Sequence, residues 1–191
     1  MGRAMVLLLT AFPLLTAGGW LLADEPLPPP EVCEVWSTGK QFCAVMDPKA
    51  SRTTVYRIGD GKRCEQWAMQ GWFRVAYLAD DGDHLIVGHG GINLLPLDVT
   101  AREPMIWFYK RGKLIATVTL GELLKKQSSL RRTVSHYEWG NCLGLDKEGH
   151  FVVKTVEDRV LAFDVATGKR WTPEKAAAKK SAATVEEGGR R

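Results

Sequence analysis

The sequence lacks the spaced motifs of the common catalytic and metal centres. It contains no Gly-x-Ser-x-Gly nucleophile turn, no Walker phosphate loop and no His-Glu-x-x-His zinc motif. No Cys-x-x-Cys spacing occurs, which argues against a zinc ribbon or a redox motif. The acidic turn Asp80–Asp83 lacks the twelfth-position glutamate of an EF-hand loop. We therefore expect no catalytic residue, no metal site and no cofactor.

The sequence also lacks an excess of charge of one sign outside its C-terminal end. The formal net charge is +4, but acidic and basic residues nearly balance between Asp24 and Gly168. A nucleic-acid binder would carry its positive charge on the folded surface, so we expect no nucleic-acid partner. Residues 172–191 are rich in Ala, Lys, Glu and Gly without an apolar face, which predicts a disordered tail.

Long apolar runs are absent except at the N-terminus. The positively charged start Met1–Arg3 precedes an apolar run and then small residues, a pattern typical of a secretory signal peptide. Cleavage after Gly19 or after Ala23 fits this pattern. The alternative is an uncleaved membrane anchor, because residues 4–23 are about long enough to span a bilayer. We expect a periplasmic or secreted protein, and the absence of Asn-x-Ser/Thr sequons favours a bacterial one.

The remaining chain is consistent with one domain and short extensions. Residues 1–23 are the predicted signal peptide, and residues 24–31 form a proline-rich linker of the extended polyproline type. A β domain is predicted over residues 32–171, and the tail follows it. A hydrophobic fraction of 45% is sufficient for a core of its own.

Cysteine is scarce, and its even number suggests pairing. The chain has four cysteines, Cys33, Cys43, Cys64 and Cys142. In an exported protein this favours two disulfides over metal binding, with four free thiols as the alternative. A three-residue turn at Ser37–Gly39 would set Trp36 opposite Lys40 and Cys33 opposite Cys43. Cys64 would then pair with Cys142.

Strand and turn signals alternate along the chain in related units. The stretch Asp146–Lys169 consists of a polar turn, a β-branched strand, a turn, a second strand and the ending Phe-Asp-Val-Ala-Thr-Gly-Lys. It resembles the blade repeats of quinoprotein-like and WD40-like β-propellers. The resemblance is weaker at Leu78–Lys113 and weakest at Gly39–Lys62, and the Trp-Asp dipeptide usual at blade ends is missing. Its Gly-Lys turns recur about every 50 residues, within the range of propeller blades.

These signals predict an all-β fold. We expect a meander of antiparallel hairpins in about three propeller-blade-like units. Because propellers usually have at least four blades, a closed β-barrel, a sandwich or completion by oligomerisation are the alternatives. Thr119 and Glu122 have the spacing of a capping box, which predicts one short helix at about residues 120–128.

Aromatic residues are the main candidates for binding. The prominent ones are Trp36, Trp67, Trp72, Trp107, Tyr109, Tyr137 and Trp139. Exposed aromatics can stack on sugars or hold a peptide, although most are expected to fill the core. Tyr137 and Trp139 lie two residues apart, on one face of an extended segment between helix and strand. We expect them to be exposed and to form the binding site.

The absence of an assembled catalytic set favours a binding function. We expect an exported, non-enzymatic β domain that binds a protein or cell-envelope partner. One alternative is a hydrolase of cell-envelope polymers, with Asp81 and Glu138 as acid and base. Another alternative is a structural subunit of an oligomer.

Overall fold

A computed structural model of the protein describes residues 27–172. The predicted signal peptide, the first residues of the proline-rich linker and all but the first residue of the predicted tail lie outside the described residues. Helices within the described range are too short and too polar to cross a membrane.

The first third of the domain forms one antiparallel sheet, the first sheet. Its strands pair in chain order: β1 Cys33–Trp36, β2 Phe42–Asp47, β3 Arg52–Gly59 and β4 Lys62–Gln70. The next strands along the chain are β5 Ala76–Leu78, β6 His84–Gly88, β7 Leu94–Leu95, β8 Pro104–Lys110 and β9 Lys113–Thr119. The second sheet has the order β5-β6-β8-β9, and β7 belongs to a separate small sheet.

A short helical segment separates the second sheet from the third. Its elements are the helix α1 Leu120–Leu123, a 3-10 turn Gln127–Ser129, and the strands β10 Arg131–Arg132 and β11 Tyr137–Glu138. The small sheet has the order β10-β11-β7. The third sheet follows in chain order, with β12 Gly140–Leu145, β13 Phe151–Thr155, β14 Val160–Phe163 and β15 Arg170–Trp171.

The predicted fold class is confirmed. Each large sheet is an antiparallel meander of four strands, and residues 27–172 contain three such units and a single α-helix. None of the sheets in this range closes on itself, so the barrel alternative is wrong.

The second sheet is the middle layer of the domain. Strand β8 alternates its side chains between two cores, as the period of a strand requires. Ile106 and Phe108 pack in the core shared with the third sheet, where the Phe108 ring meets the Phe151 ring edge-on at 6.1 Å. Trp107 and Tyr109 pack on the opposite side, against the core shared with the first sheet.

The first strands of the three large sheets converge. Strand β5 packs against β1 and β2 of the first sheet. The Tyr77 hydroxyl on β5 donates a hydrogen bond to the Cys142 carbonyl on β12, 3.3 Å away. A cavity of about 310 Å³ lies at this junction and is lined from all three strands.

The predicted helix forms but ends early. The Thr119 backbone N–H donates to the Glu122 carboxylate at 2.7 Å, which confirms the capping box. The helix stops at Leu123 because Leu124 is extended, and the next two backbone N–H groups donate to the carboxylate of Glu157. Glu157 therefore satisfies donors that would otherwise continue the helical ladder.

The predicted register of the first hairpin is wrong. Strand β1 pairs with β2 so that Trp36 lies opposite Cys43 and Cys33 lies opposite Met46. The turn is longer than the predicted one because the Ser37 backbone N–H bonds to the Phe42 carbonyl at 3.0 Å. Cys33 and Cys43 are therefore not cross-strand neighbours.

Candidate functional site

The two aromatic residues predicted to bind a partner lie in different environments. Tyr137 is half-buried on β11 and packs against the main core. Trp139 is 0% exposed, and its indole N–H donates to the Ile92 carbonyl at 2.8 Å. The expectation that Trp139 is exposed is wrong, since this short segment folds inward to complete the core.

Glu138, between these two residues, lines a polar cavity of about 340 Å³ where the small sheet meets the third sheet. The polar residues that line this polar cavity are Asn93, Arg131, Glu138, Asn141, Lys154, Thr155 and Asp158. Its charges occur as neighbouring pairs, Arg131 with Glu138 at 3.6 Å and Lys154 with Asp158 at 3.2 Å. These exposed pairs leave the polar cavity close to electrically neutral.

One buried group beside the polar cavity has no hydrogen bond. Thr155 is 3% exposed, and its hydroxyl has no partner within residues 27–172. Its neighbour Gly140 has φ of +144°, and a Cβ there would lie 2.2 Å from the Lys154 carbonyl oxygen. The close approach of these two strands fixes one wall of the polar cavity.

A second concavity, the aromatic cleft, lies at the edge of the layer between the first and second sheets. Its volume is about 280 Å³. The side chains that shape the aromatic cleft are Trp72, Phe73, Arg74, Trp107 and Tyr109, with Gly90 at its edge. Trp72 to Arg74 belong to the connection between β4 and β5, whereas Trp107 and Tyr109 share one face of β8. Folding thus brings together aromatics that are far apart in sequence.

Ring contacts fix the geometry of the aromatic cleft. The Phe73 and Tyr109 rings are tilted with centroids 6.2 Å apart, and the Arg74 guanidinium lies over the Trp72 ring at 5.2 Å from its centroid. Burial raises the pKa of Tyr109. Its neutral hydroxyl can donate a hydrogen bond. The aromatic cleft therefore combines flat apolar faces with a few polar groups, as binding pockets generally do.

The two glycines that line the aromatic cleft differ in how much space they leave for a side chain. A Cβ at Gly88 would lie 2.8 Å from a Val75 methyl carbon and 3.2 Å from the Cys142 sulfur. A Cβ at Gly90 would meet nothing within 4 Å. A side chain can therefore be introduced at Gly90, which lines the aromatic cleft, without displacing its walls.

The four cysteines, which all lie in the described range, are free thiols in the structure. The predicted pairs Cys33–Cys43 and Cys64–Cys142 are therefore not formed. Cys64 is exposed on β4, whereas burial raises the pKa of Cys142 to about 12. Cys33 and Cys142 line the junction cavity of the three sheets.

The two carboxylates considered for catalysis have different surroundings. Asp81 accepts hydrogen bonds from the backbone of its own turn and contacts the His84 ring at 2.6 Å. Burial by itself would raise the pKa of Asp81. The hydrogen bonds, first of all the one from the His84 ring, outweigh burial and lower this pKa. Glu138 instead faces Asn93 and Arg131 in the polar cavity.

The turn at Asp146 repeats the arrangement found at Asp81. Asp146 accepts the His150 backbone N–H at 2.7 Å and contacts the His150 ring at 3.1 Å. Each turn leads into the second strand of its sheet, so the two histidines occupy equivalent positions. With Glu148 the group places three ligand-type atoms within 4.8 Å of one another. The hydrogen bonds from His150 to Asp146 within the turn explain why these side chains lie close together.

The polar cavity and the aromatic cleft are the two candidate sites of the described chain. Sequence reasoning identified Trp72, Trp107 and Tyr109 only as members of a larger aromatic set, and it missed Phe73 and Arg74. The one usable signal was the alternation of Trp107 and Tyr109 along a strand. No known family model matches the chain, and no curated protein matches it.

Proposed function

We propose that this protein is an exported, non-enzymatic binding domain that holds a protein or cell-envelope partner in the aromatic cleft. The observation that carries this proposal is the assembly of four aromatic side chains and one arginine around an open concavity. Tryptophan, tyrosine and arginine contribute most of the energy at the centres of protein interfaces.

The surroundings of the aromatic cleft support this proposal. Its rings are half-buried and packed from behind by the core of the first and second sheets. They are consequently held in place before a partner arrives, which reduces the entropy lost on binding. By contrast, the exposed Trp36 lies on β1 with Arg63 over its ring, and it is not part of the aromatic cleft.

We also propose that the three large sheets are related to propeller blades. Two features support this relationship. The three sheets have the same meander order, and the second and third sheets share an Asp–His turn before their second strand. Export through an N-terminal signal peptide is part of the same proposal and rests on the sequence pattern of residues 1–23.

Photo-cross-linking in cells tests the proposed binding site. A photoreactive phenylalanine analogue at position 90 would stand at the edge of the aromatic cleft, where the Cβ has open space. The same analogue at position 59 is the matched control, because a Cβ at Gly59 also meets nothing within 4 Å. We expect reproducible adducts from position 90 in the exporting compartment and none above background from position 59. Equal yields at the two positions would contradict the proposal.

A further inference from the structure

One residue of the aromatic cleft already contacts the end of the chain's own proline-rich linker. The Trp72 indole N–H donates a 2.8 Å hydrogen bond to the backbone carbonyl of Glu31. Glu31 directly follows Pro28, Pro29 and Pro30, which are exposed. Proline fixes φ near −65° and disfavours helix in the preceding residue, so this run favours the polyproline II conformation. An aromatic donor of the cleft thus binds the main chain of the residue that directly follows such a segment.

Polyproline II segments need external donors of this kind. The conformation has no internal hydrogen bonds, and proline has no N–H, so its carbonyls are satisfied from outside. Trp67, Trp72 and Trp139 each donate to a backbone carbonyl. The indole N–H of Trp107 and the hydroxyl of Tyr109 have no such partner within residues 27–172. Two donors therefore remain available in the aromatic cleft.

We infer that the aromatic cleft binds a proline-rich segment of another protein in the polyproline II conformation. The aromatic faces contact the pyrrolidine rings, and the two available donors bind the segment's carbonyls. Arg74 forms no ion pair within the described residues and lies at the same cleft, which favours a segment with a neighbouring acidic residue. This inference rests on the proposed function and names its class of partner.

The lining of the aromatic cleft argues against a glycan as partner. Sugar hydroxyls both donate and accept, so their sites supply carboxylates or amides beside the aromatic rings. Among residues 27–172, Arg74 is the only charged side chain that lines the aromatic cleft, and no carboxylate or amide side chain lines it. Acceptors are thus scarce, whereas a proline-rich chain presents acceptors and no donors at its prolines.

Calorimetric titration of the purified full-length exported chain tests the inference with three probes. They are the hexapeptide acetyl-Pro-Leu-Pro-Pro-Pro-Glu-amide, the same peptide with alanine at every proline, and chitohexaose. We expect binding of the first peptide only. Trp107→Phe keeps an aromatic ring but removes the available N–H donor. The affinity of this variant for the proline-rich peptide should therefore fall about 2- to 10-fold. Trp36→Phe is the matched control and should leave the affinity unchanged.

A steric variant covers the case in which Trp107→Phe changes the packing. Gly90→Leu should abolish peptide binding while leaving the melting temperature within a few degrees, and Gly59→Leu should change neither. Binding of chitohexaose alone would overturn the inference and leave the proposed binding function intact. Binding of no probe, together with no adducts from position 90, would overturn both. If the protein forms concentration-dependent dimers and the peptide dissociates them, the inference is overturned, and the partner is a second copy of the chain.

Discussion

At the scale of single residues, the thiols differ in how strongly burial suppresses the thiolate. Burial is the main cause that raises the pKa of Cys43 to about 11 and that of Cys142 to about 12. A carboxylate of Glu34 lies 3.7 Å from the Cys43 sulfur and contributes to the rise. Because the thiolate is the reactive form, these two side chains should be nearly inert in the folded protein.

We predict that one thiol of the native protein reacts rapidly with an aromatic disulfide reagent at pH 8. That thiol is Cys64, which is exposed on β4, and Cys64→Ser should abolish the fast phase. Cys43 and Cys142 should react only as the protein unfolds. If protein purified without reductant shows no fast thiol until a reductant is added, Cys64 forms a disulfide after all, as the sequence suggested.

The residues of the aromatic cleft show the limit of sequence reasoning at this scale. The alternation of Trp107 and Tyr109 indicates that they share a face of β8, but both faces of this strand are covered. Which face stays partly open depends on how the first sheet packs on the second. That is a property of the tertiary structure, and no local pattern records it.

At the scale of elements, one carboxylate organises the end of the helical segment. Glu157 accepts from the backbone N–H groups of Lys125 and Lys126, from the Ser129 hydroxyl at 2.8 Å and from Arg159 at 3.2 Å. The backbone bond from Lys125 is the largest cause that lowers the pKa of Glu157 to about 2. The charged form is therefore bound more strongly in the folded protein than in the unfolded chain.

This depressed pKa predicts the direction of the pH dependence of stability. The contribution of Glu157 is complete above its unfolded pKa of about 4.3 and is lost as the pH falls towards 2. Glu157→Gln should lower the free energy of unfolding at pH 7 and flatten its dependence between about pH 4.5 and 2. Urea unfolding across this range measures both effects.

Glu148→Gln is the matched control, because the Glu148 side chain is exposed and accepts no hydrogen bond within residues 27–172. Parallel pH profiles for Glu157→Gln and the unmodified protein would contradict the prediction.

The elements also show why strand existence is easier to predict than strand register. The sequence predicts a turn at Gly39, and the chain does turn there. The residue with the left-handed conformation, however, is Lys40, with φ of +54°. The Gly39 backbone N–H is instead held by the Asp80 carboxylate at 2.8 Å. This contact spans two sheets, and it selects a longer turn than local rules would choose.

At the scale of the whole molecule, one glycine lies where the third sheet packs closely against the second. Gly168 has φ of +65°, and a Cβ there would lie 2.3 Å from the Ala116 Cβ and 3.0 Å from the Phe108 ring. The Gly-Lys turn that recurs as a repeat signal thus also packs closely against the second sheet. Its conformation was predictable from the sequence, but its packing role was not.

We predict that Gly168→Ala destabilises the protein by about 2–4 kcal/mol, through left-handed strain and overpacking together. Gly149→Ala is the matched control, since Gly149 has φ of +83° but open space around its Cβ. That variant should lose only about 1 kcal/mol, the cost of the conformation alone. Urea unfolding of both variants gives the comparison. Equal losses would mean that the sheets are not in close contact at Gly168.

The fold as a whole was more predictable than its sites. Turn residues and alternating strands specify three meanders, because each meander uses only neighbouring segments. The burial of Trp139 was missed, since its indole N–H bonds to the Ile92 carbonyl, far away in sequence. Thiol pairing was mispredicted from a local register.

The meander order has a consequence for how the domain is made. Each large sheet is complete once its own stretch of chain has emerged, so no later strand must be threaded between earlier ones. The small sheet is the exception, because β7 waits for β11, which is synthesised after the whole second sheet. We expect the large sheets to form from the N-terminal side as the chain emerges during synthesis. The polar cavity would not appear before β13 is made, because its lining extends from Asn93 to Asp158.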